Sequence, residues 1–177
     1  PGLRRAVAHT PVAVGAVAGA LPIAIGWLAA DGPQQVLAGD ISAALAVASL
    51  GTVLYLWQFP HFMAIAWLYR KQYDLADLKM LTVTDPSGLR AAGQSLAAAL
   101  AMIPVSLAMA VPSGSIRMFL TAALASTVYV LVSVNFAFRR DDRSARILLF
   151  TSLGVLLILM MSAVAFSAPK VLSGSYL

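Results

Sequence analysis

The sequence has 177 residues, 60% of them hydrophobic and only 11% charged, with a mean hydropathy of +0.86. A soluble domain carries about 25% charged residues, so there is too little polar surface here to coat a water-soluble globule, and lipid is the natural solvent for most of the chain. The net charge of +5 would suit nucleic acid in a soluble protein, but the basic residues lie in short connections between apolar runs, which argues for an orientation signal and for no nucleic acid partner, while the lack of cysteine excludes disulfides, thiolate metal sites and thioether-linked haem.

Five segments approach or exceed the ~20 residues that cross a bilayer. They run over 11–30, 42–69, 90–111, 116–138 and 146–167, and the fold class they predict is all-α, a multi-spanning transmembrane helix bundle forming one domain over 1–177. The breaks carry turn or charge signals: "ADGPQQ" after the first segment, "DPSG" before the third, "VPSGS" after it, and "RRDDRSAR" between the last two. The chain begins at Pro1 and its first ten residues do not read as a signal peptide, which points to processing or truncation.

The first segment, "VGAVAGALPIAIGW", places Gly15 and Gly19 one turn apart, a spacing that suits close helix contact, and Pro22 introduces a kink. The fourth and fifth segments are mainly Leu, Val, Ala and Met, with Tyr129 and Asn135 as scattered polar groups, and the fifth reads as packing alone. With the N-terminus in the cytoplasm, ten Lys and Arg face that side (Arg4, Arg5, Arg70, Lys71, Lys79, Arg90, Arg139, Arg140, Arg143 and Arg146) against two, Arg117 and Lys170, on the other. That orientation makes 70–89 the longest cytoplasmic loop.

The second segment is the informative one. Its 28 residues rise about 42 Å, more than the ~30 Å hydrocarbon core, so it must tilt, bend or project. It contains "WQFPHF", and Pro60 leaves the Leu56 carbonyl without its helical donor, a natural bend. Counting from Arg70 at the interface, His61 lies about 13 Å deeper and Gln58 one turn beyond, near the bilayer middle. Neither is stable against lipid, so both should face protein or a wet cavity. Gln58, His61, Ile65 and Tyr69 fall on one helical face, and Trp57 lies one turn from His61. His61 reads three ways: a structural histidine bonded to a neighbour, a cavity wall, or a metal or haem ligand. Trp57, Phe59, Phe62 and Trp67 are either ordinary apolar contacts or the wall of a prenyl pocket.

The following loop, "YRKQYDLADLKMLTVTDPSG", holds Asp74 and Asp77 three residues apart, which share a face if the loop is helical. A carboxylate pair at a membrane surface can hold Mg²⁺ together with phosphate oxygens, and Arg70, Lys71 and Lys79 beside it suit a diphosphate; the other reading is a plain solvated loop.

These residues resemble a family. "WQFPHFMAIAW", the Tyr69-Arg70 pair, Tyr73 and "KML", together with "VGAVAGALPIAIGW" and "LRRAVAHT", are similar to the haem O synthase branch of the UbiA-type intramembrane prenyltransferases, over most of 3–111. The resemblance implies a nine-helix bundle of which this chain matches helices 5–9, with a central cavity open to the cytoplasm and the lipid. It implies farnesyl transfer from farnesyl diphosphate to a vinyl group of haem b, assisted by Mg²⁺, in the inner (plasma) membrane. His61, Gln58 and Tyr73 would be catalytic; Trp57, Phe62, Tyr69, Arg70, Lys71 and Lys79 would bind substrate; Asp74 and Asp77 would hold the metal. The partners implied are farnesyl diphosphate, haem b, the bilayer and the N-terminal helices of the same protein, without which the fragment should be inactive. The chain departs from the family pattern in three ways: it has no counterpart of the first acidic loop, Gln72 stands where an acid usually precedes the loop tyrosine, and Asp77 stands where glycine is usual. Other readings are a UbiA-type enzyme acting on a quinone or chlorophyll precursor, and a non-catalytic haem- or lipid-binding or transport protein.

Overall fold

The computed structural model describes residues 10–76 and 80–166, with side chains from residue 15 onward. Its helices are α1 (Thr10–Ala29), α2 (Gly32–Leu37), α3 (Ile41–Leu68), α4 (Arg70–Leu75), α5 (Leu81–Thr84), α6 (Leu89–Ala108), α7 (Ile116–Arg139) and α8 (Asp142–Phe166). Among the described residues, α3, α6, α7 and α8 are each long and apolar enough to cross a membrane, and Gly15–Ala29 is a shorter apolar stretch. This is a multi-pass membrane helix bundle.

Helix α3 is the hub. It packs against α1 on one side and against α6 and α8 on others, while α6, α7 and α8 follow as successive neighbours, so α3, α6, α7 and α8 close a four-helix ring. Cross-contacts give the directions: Trp57 and Trp67 of α3 meet Tyr129 and Phe136 of α7 in the same order, whereas Trp57 and Arg70 meet Ser152 and Asp142 of α8 in reverse order. Helix α3 is therefore parallel to α7 and antiparallel to α8. The ring interior is filled by Val53, Met102, Met118, Tyr129, Phe136, Leu148 and Leu159, all essentially inaccessible, with Ala64, Ala99, Ala122 and Ala145 between them. Helices without a hydrophobic drive between them associate through small residues that allow close approach. The buried serines fit this: Ser95, Ser126 and Ser133 each donate to the carbonyl four residues back, at 2.7–2.8 Å, and so leave no open polar group. Leu120, Leu124, Leu131 and Phe138 of α7 and Phe150, Leu157, Met161 and Val164 of α8 point outward, where lipid replaces protein.

Short side chains set the helix ends. Asp40 caps α3, accepting from the N–H groups of Ser42 (3.1 Å) and Ala43 (3.3 Å). Asp141 accepts from Ser144 N–H at 2.7 Å, and the Ser144 hydroxyl accepts from Asp141 N–H at 3.3 Å, a reciprocal box that starts α8 at Asp142 rather than at 146 as predicted. Helix α6 ends at Ala108, three residues short of expectation, and the "ADGPQQ" break contains the short α2, with Pro in its first turn. Of the Gly15 and Gly19 pair only Gly19 makes the close contact, against Gln58 of α3; nothing lies within 4 Å of a Cβ at Gly15. Helix α3 runs unbroken through Pro60.

Candidate functional site

The WQFPHF turn lies in mid-helix on α3, and two other helices fix its side chains. Trp57 and His61, one turn apart, stack at 4.6 Å between centroids and 25° between planes. Ser152 of α8 holds both rings: its backbone carbonyl accepts from Trp57 Nε1–H at 2.7 Å and its hydroxyl lies 2.8 Å from His61 Nδ1. Phe62 meets the imidazole edge-on at 5.6 Å and is 37% exposed. From across the ring, the buried Tyr129 hydroxyl donates to the Trp57 carbonyl at 2.8 Å. This added bond falls one residue beyond the Leu56 carbonyl, whose helical donor Pro60 removes. The turn is thus tied to α7 and α8 at once.

Gln58 goes elsewhere. It is buried between α1 and α3, and its Nε2 donates to the carbonyls of Ala16 and Leu54, each at 3.2 Å. The expectation that Gln58 and His61 share one face resolves into two environments: Gln58 ties α1 to the hub, whereas His61 is half-buried against α8. An α-helix offsets residues three apart by about 60°, enough on a helix with partners on several sides to aim the two at different neighbours.

Toward the loop, Arg70 Nη1 donates to Asp142 at 2.8 Å and to the Trp67 carbonyl at 2.5 Å, and its guanidinium lies 4.6 Å from the Trp67 ring centroid. The cation is shared between an ion pair and an aromatic face, which leaves its remaining N–H groups for an anion. Lys71 and Asp74 of α4 are exposed, Tyr73 is half-buried and Tyr69 is 51% exposed. Helix α4 closes with Ala76 as its C-cap, so among the described residues it carries Asp74 alone; Asp77 and Lys79 lie outside them. Among the described residues no three His, Asp or Glu side chains form a metal-binding group. The loop then closes on a built turn. Asp85 accepts from the Ser87 hydroxyl at 2.5 Å and from Arg90 N–H at 2.9 Å, and these bonds hold its carboxyl below the usual range. A cavity of about 670 Å³, ringed by Asp40, Leu50, Met109, Met118 and Phe166, lies at the opposite end of the ring and is lined by none of the predicted site residues.

Residues 5–162 match the UbiA prenyltransferase family. The chain belongs to that family. Among curated UbiA relatives, the protoheme IX farnesyltransferase of Rhodopirellula baltica is 40% identical over 152 residues, 81% of this chain and 50% of its own length. That of Solibacter usitatus is 41% identical over 140 residues, 78% of this chain and 45% of its own. The human mitochondrial protoheme IX farnesyltransferase is 35% identical over 158 residues, 89% of this chain and 33% of its own. The chain thus spans about half the length, or less, of these UbiA relatives. No solved structure matches it.

Three residues of this UbiA chain were not singled out as site residues by sequence: Ser152, Tyr129 and Asp142. The fifth segment, read as packing alone, supplies the partner of His61, and the charged break before it supplies the counter-charge of Arg70. A serine inside "LLFTSLGVLL" was the available signal, but serine in a membrane helix bonds its own backbone as readily as a partner, so the sequence alone does not separate the two.

Proposed function

We propose that this chain forms the C-terminal part of a haem O synthase: an intramembrane enzyme that transfers a farnesyl group from farnesyl diphosphate to haem b. The observation that carries the reading is the 35–41% identity, over most of this chain, to proteins named protoheme IX farnesyltransferase. The reaction breaks the C1–O bond of farnesyl diphosphate and releases diphosphate. The terminal carbon of a haem vinyl group bonds to farnesyl C1, and the cation left beside the pyrrole is captured by water, which loses a proton.

The residues suit these steps. Arg70, near the end of α3, offers N–H groups toward a diphosphate oxygen, and the exposed Lys71 follows it. Trp57 and Phe62, which flank His61, suit an apolar aromatic wall for a polyprenyl tail and the shielding of a developing allylic cation, whereas Phe59 packs beside Tyr55 on another side of α3, against Met63, Leu81 and Ala91. Mg²⁺ needs few protein carboxylates when phosphate oxygens fill its remaining positions, so the exposed Asp74, with Asp77 after it in sequence, fits as a ligand to a metal–diphosphate complex. When bound, the metal neutralises charge on the departing diphosphate. Tyr73 and Tyr69 border this end. The loop that carries them faces the cytoplasm in the orientation set by the arginine and lysine bias, with the enzyme in the inner (plasma) membrane.

The test uses the full-length protein in membranes supplied with haem b, farnesyl diphosphate and Mg²⁺, followed by chromatography and mass spectrometry of the haems. Haem carrying a hydroxyethylfarnesyl group should accumulate, chelation of Mg²⁺ should stop it, and Asp74→Asn combined with Asp77→Asn should weaken the Mg²⁺ dependence. Prenylation of an added quinone precursor in place of haem would overturn the reading.

A further inference from the structure

The hydrogen-bond chain behind His61 decides which imidazole nitrogen carries the proton. The Ser152 hydroxyl oxygen lies 2.6 Å from the Leu149 carbonyl oxygen. Two oxygens that close repel unless a hydrogen lies between them, and a carbonyl has none to give, so the hydroxyl donates to Leu149. A serine has one hydroxyl proton. Toward His61 Nδ1, at 2.8 Å, Ser152 is therefore left as acceptor, and Nδ1 is the protonated nitrogen. In the neutral ring that leaves Nε2 with a bare lone pair. Among the described residues Nε2 has no hydrogen-bond partner, and it is not one of the buried unsatisfied atoms, so it stays accessible.

The ring is also fixed in direction. Trp57 stacks on it, and the indole N–H of Trp57 is anchored to the same residue, Ser152, through its carbonyl. A neutral imidazole with one nitrogen donating to a hydrogen-bonded partner, the ring clamped and the other nitrogen bare and accessible, is the arrangement of a metal-ligating histidine with its supporting shell. Among the described residues no acidic side chain contacts it, as a carboxylate-oriented general base would require. The ring carbonyl and hydroxyl contacts are all neutral. The metal such a ligand would meet in the function proposed above is the iron of the haem substrate.

We infer that His61 binds the haem iron through Nε2, and that Ser152 is the positioning residue that fixes its tautomer and direction. This rests on the haem reading, and a ligand here orients the macrocycle so that a vinyl group is presented in a constant place. The test titrates ferric haem b into the full-length protein in detergent and follows the Soret band. The wild type should show an imidazole-ligated spectrum, and its reduced form an iron–histidine stretch by resonance Raman. His61→Ala and His61→Gln should lose both, and added imidazole should restore ligation to His61→Ala. Ser152→Ala should retain haem with about 10- to 100-fold weaker affinity, the usual cost of losing a ligand's hydrogen-bond partner, and with an altered iron–histidine frequency. Ser152→Thr, which keeps the hydroxyl, should recover both. If haem binds and the spectra of wild type and both His61 variants coincide, ligation by His61 is wrong while farnesyl transfer stands. If Ser152→Ala matches wild type in affinity and frequency, its positioning role is wrong. If the wild-type protein binds no haem, the function proposed above falls with it.

Discussion

Gly88→Ala is the sharpest test of how the loop end of the ring is built. Gly88 precedes α6 with φ of +70°, and a Cβ there would overlap the six-membered ring of Trp67. The backbone conformation costs a residue with a side chain about 1–2 kcal/mol, and displacing a packed ring about 1–3 kcal/mol more. Trp67 has little room to yield: it is 6% exposed, meets Phe136 edge-on at 6.0 Å and carries Arg70 on its face. A loss of about 2–5 kcal/mol is expected from these two terms together. Gly154→Ala is the matched control, since nothing lies within 4 Å of its Cβ and its backbone is helical; it should gain up to about 1 kcal/mol from helix propensity alone. Both are read by denaturant titration of the full-length protein in mixed micelles, followed by tryptophan emission. Equal tolerance of the two substitutions would refute the Trp67 contact and the positive φ together.

Tyr129→Phe removes one hydrogen bond, to the Trp57 carbonyl, and leaves the ring in place; a cost of about 0.5–1.5 kcal/mol is expected, against about 3–5 kcal/mol for Tyr129→Ala, which empties the site. Similar costs for the two variants in the same titration would place the stability in the hydroxyl rather than in packing. The carboxyls of Asp85 and Asp141 are held below their ordinary range, by the Ser87 hydroxyl and Arg90 N–H for Asp85 and by the Ser144 N–H for Asp141. A depressed folded pKa means the stabilisation is present above the unfolded value of about 3.9 and is lost as pH falls through the folded value. Asp85→Ala should therefore speed amide exchange at Arg90 near neutral pH and change it little at a pH where the wild-type carboxyl is already protonated.

Much of this architecture was legible in the residues because the bilayer removes choices. Backbone in lipid must satisfy itself, so an apolar run of 20 or more residues becomes a helix whatever its propensities, and five runs became the five long helices. Their ends were less legible. "RRDDRSAR" reads as a charged break, yet Asp141 and Ser144 cap each other and pull the helix start back to Asp142. Gln58 and His61 both meet protein, as polar groups in an apolar segment should, but a single helix cannot say which neighbour each will meet. That depends on α3 packing against α1, α6 and α8 at once, a property of the whole bundle. Ser152 was invisible for the same reason: its importance comes from standing opposite Trp57 and His61, 95 and 91 positions away.

That separation has a consequence for the order of events on the ribosome. Helix α3 emerges with a histidine whose tautomer and direction are unset, and the residue that sets them is made 91 residues later. At typical synthesis rates the interval is roughly 5–20 s. Throughout it the imidazole has the Trp57 ring beside it but lacks its hydroxyl partner. Arg70 waits similarly for Asp142, 72 residues on. Insertion of α8 is therefore the step that fixes the imidazole, so a nascent chain halted before it would carry the Trp57–His61 stack and the Tyr129 bond to the Trp57 carbonyl but lack the Ser152 hydroxyl that sets the tautomer.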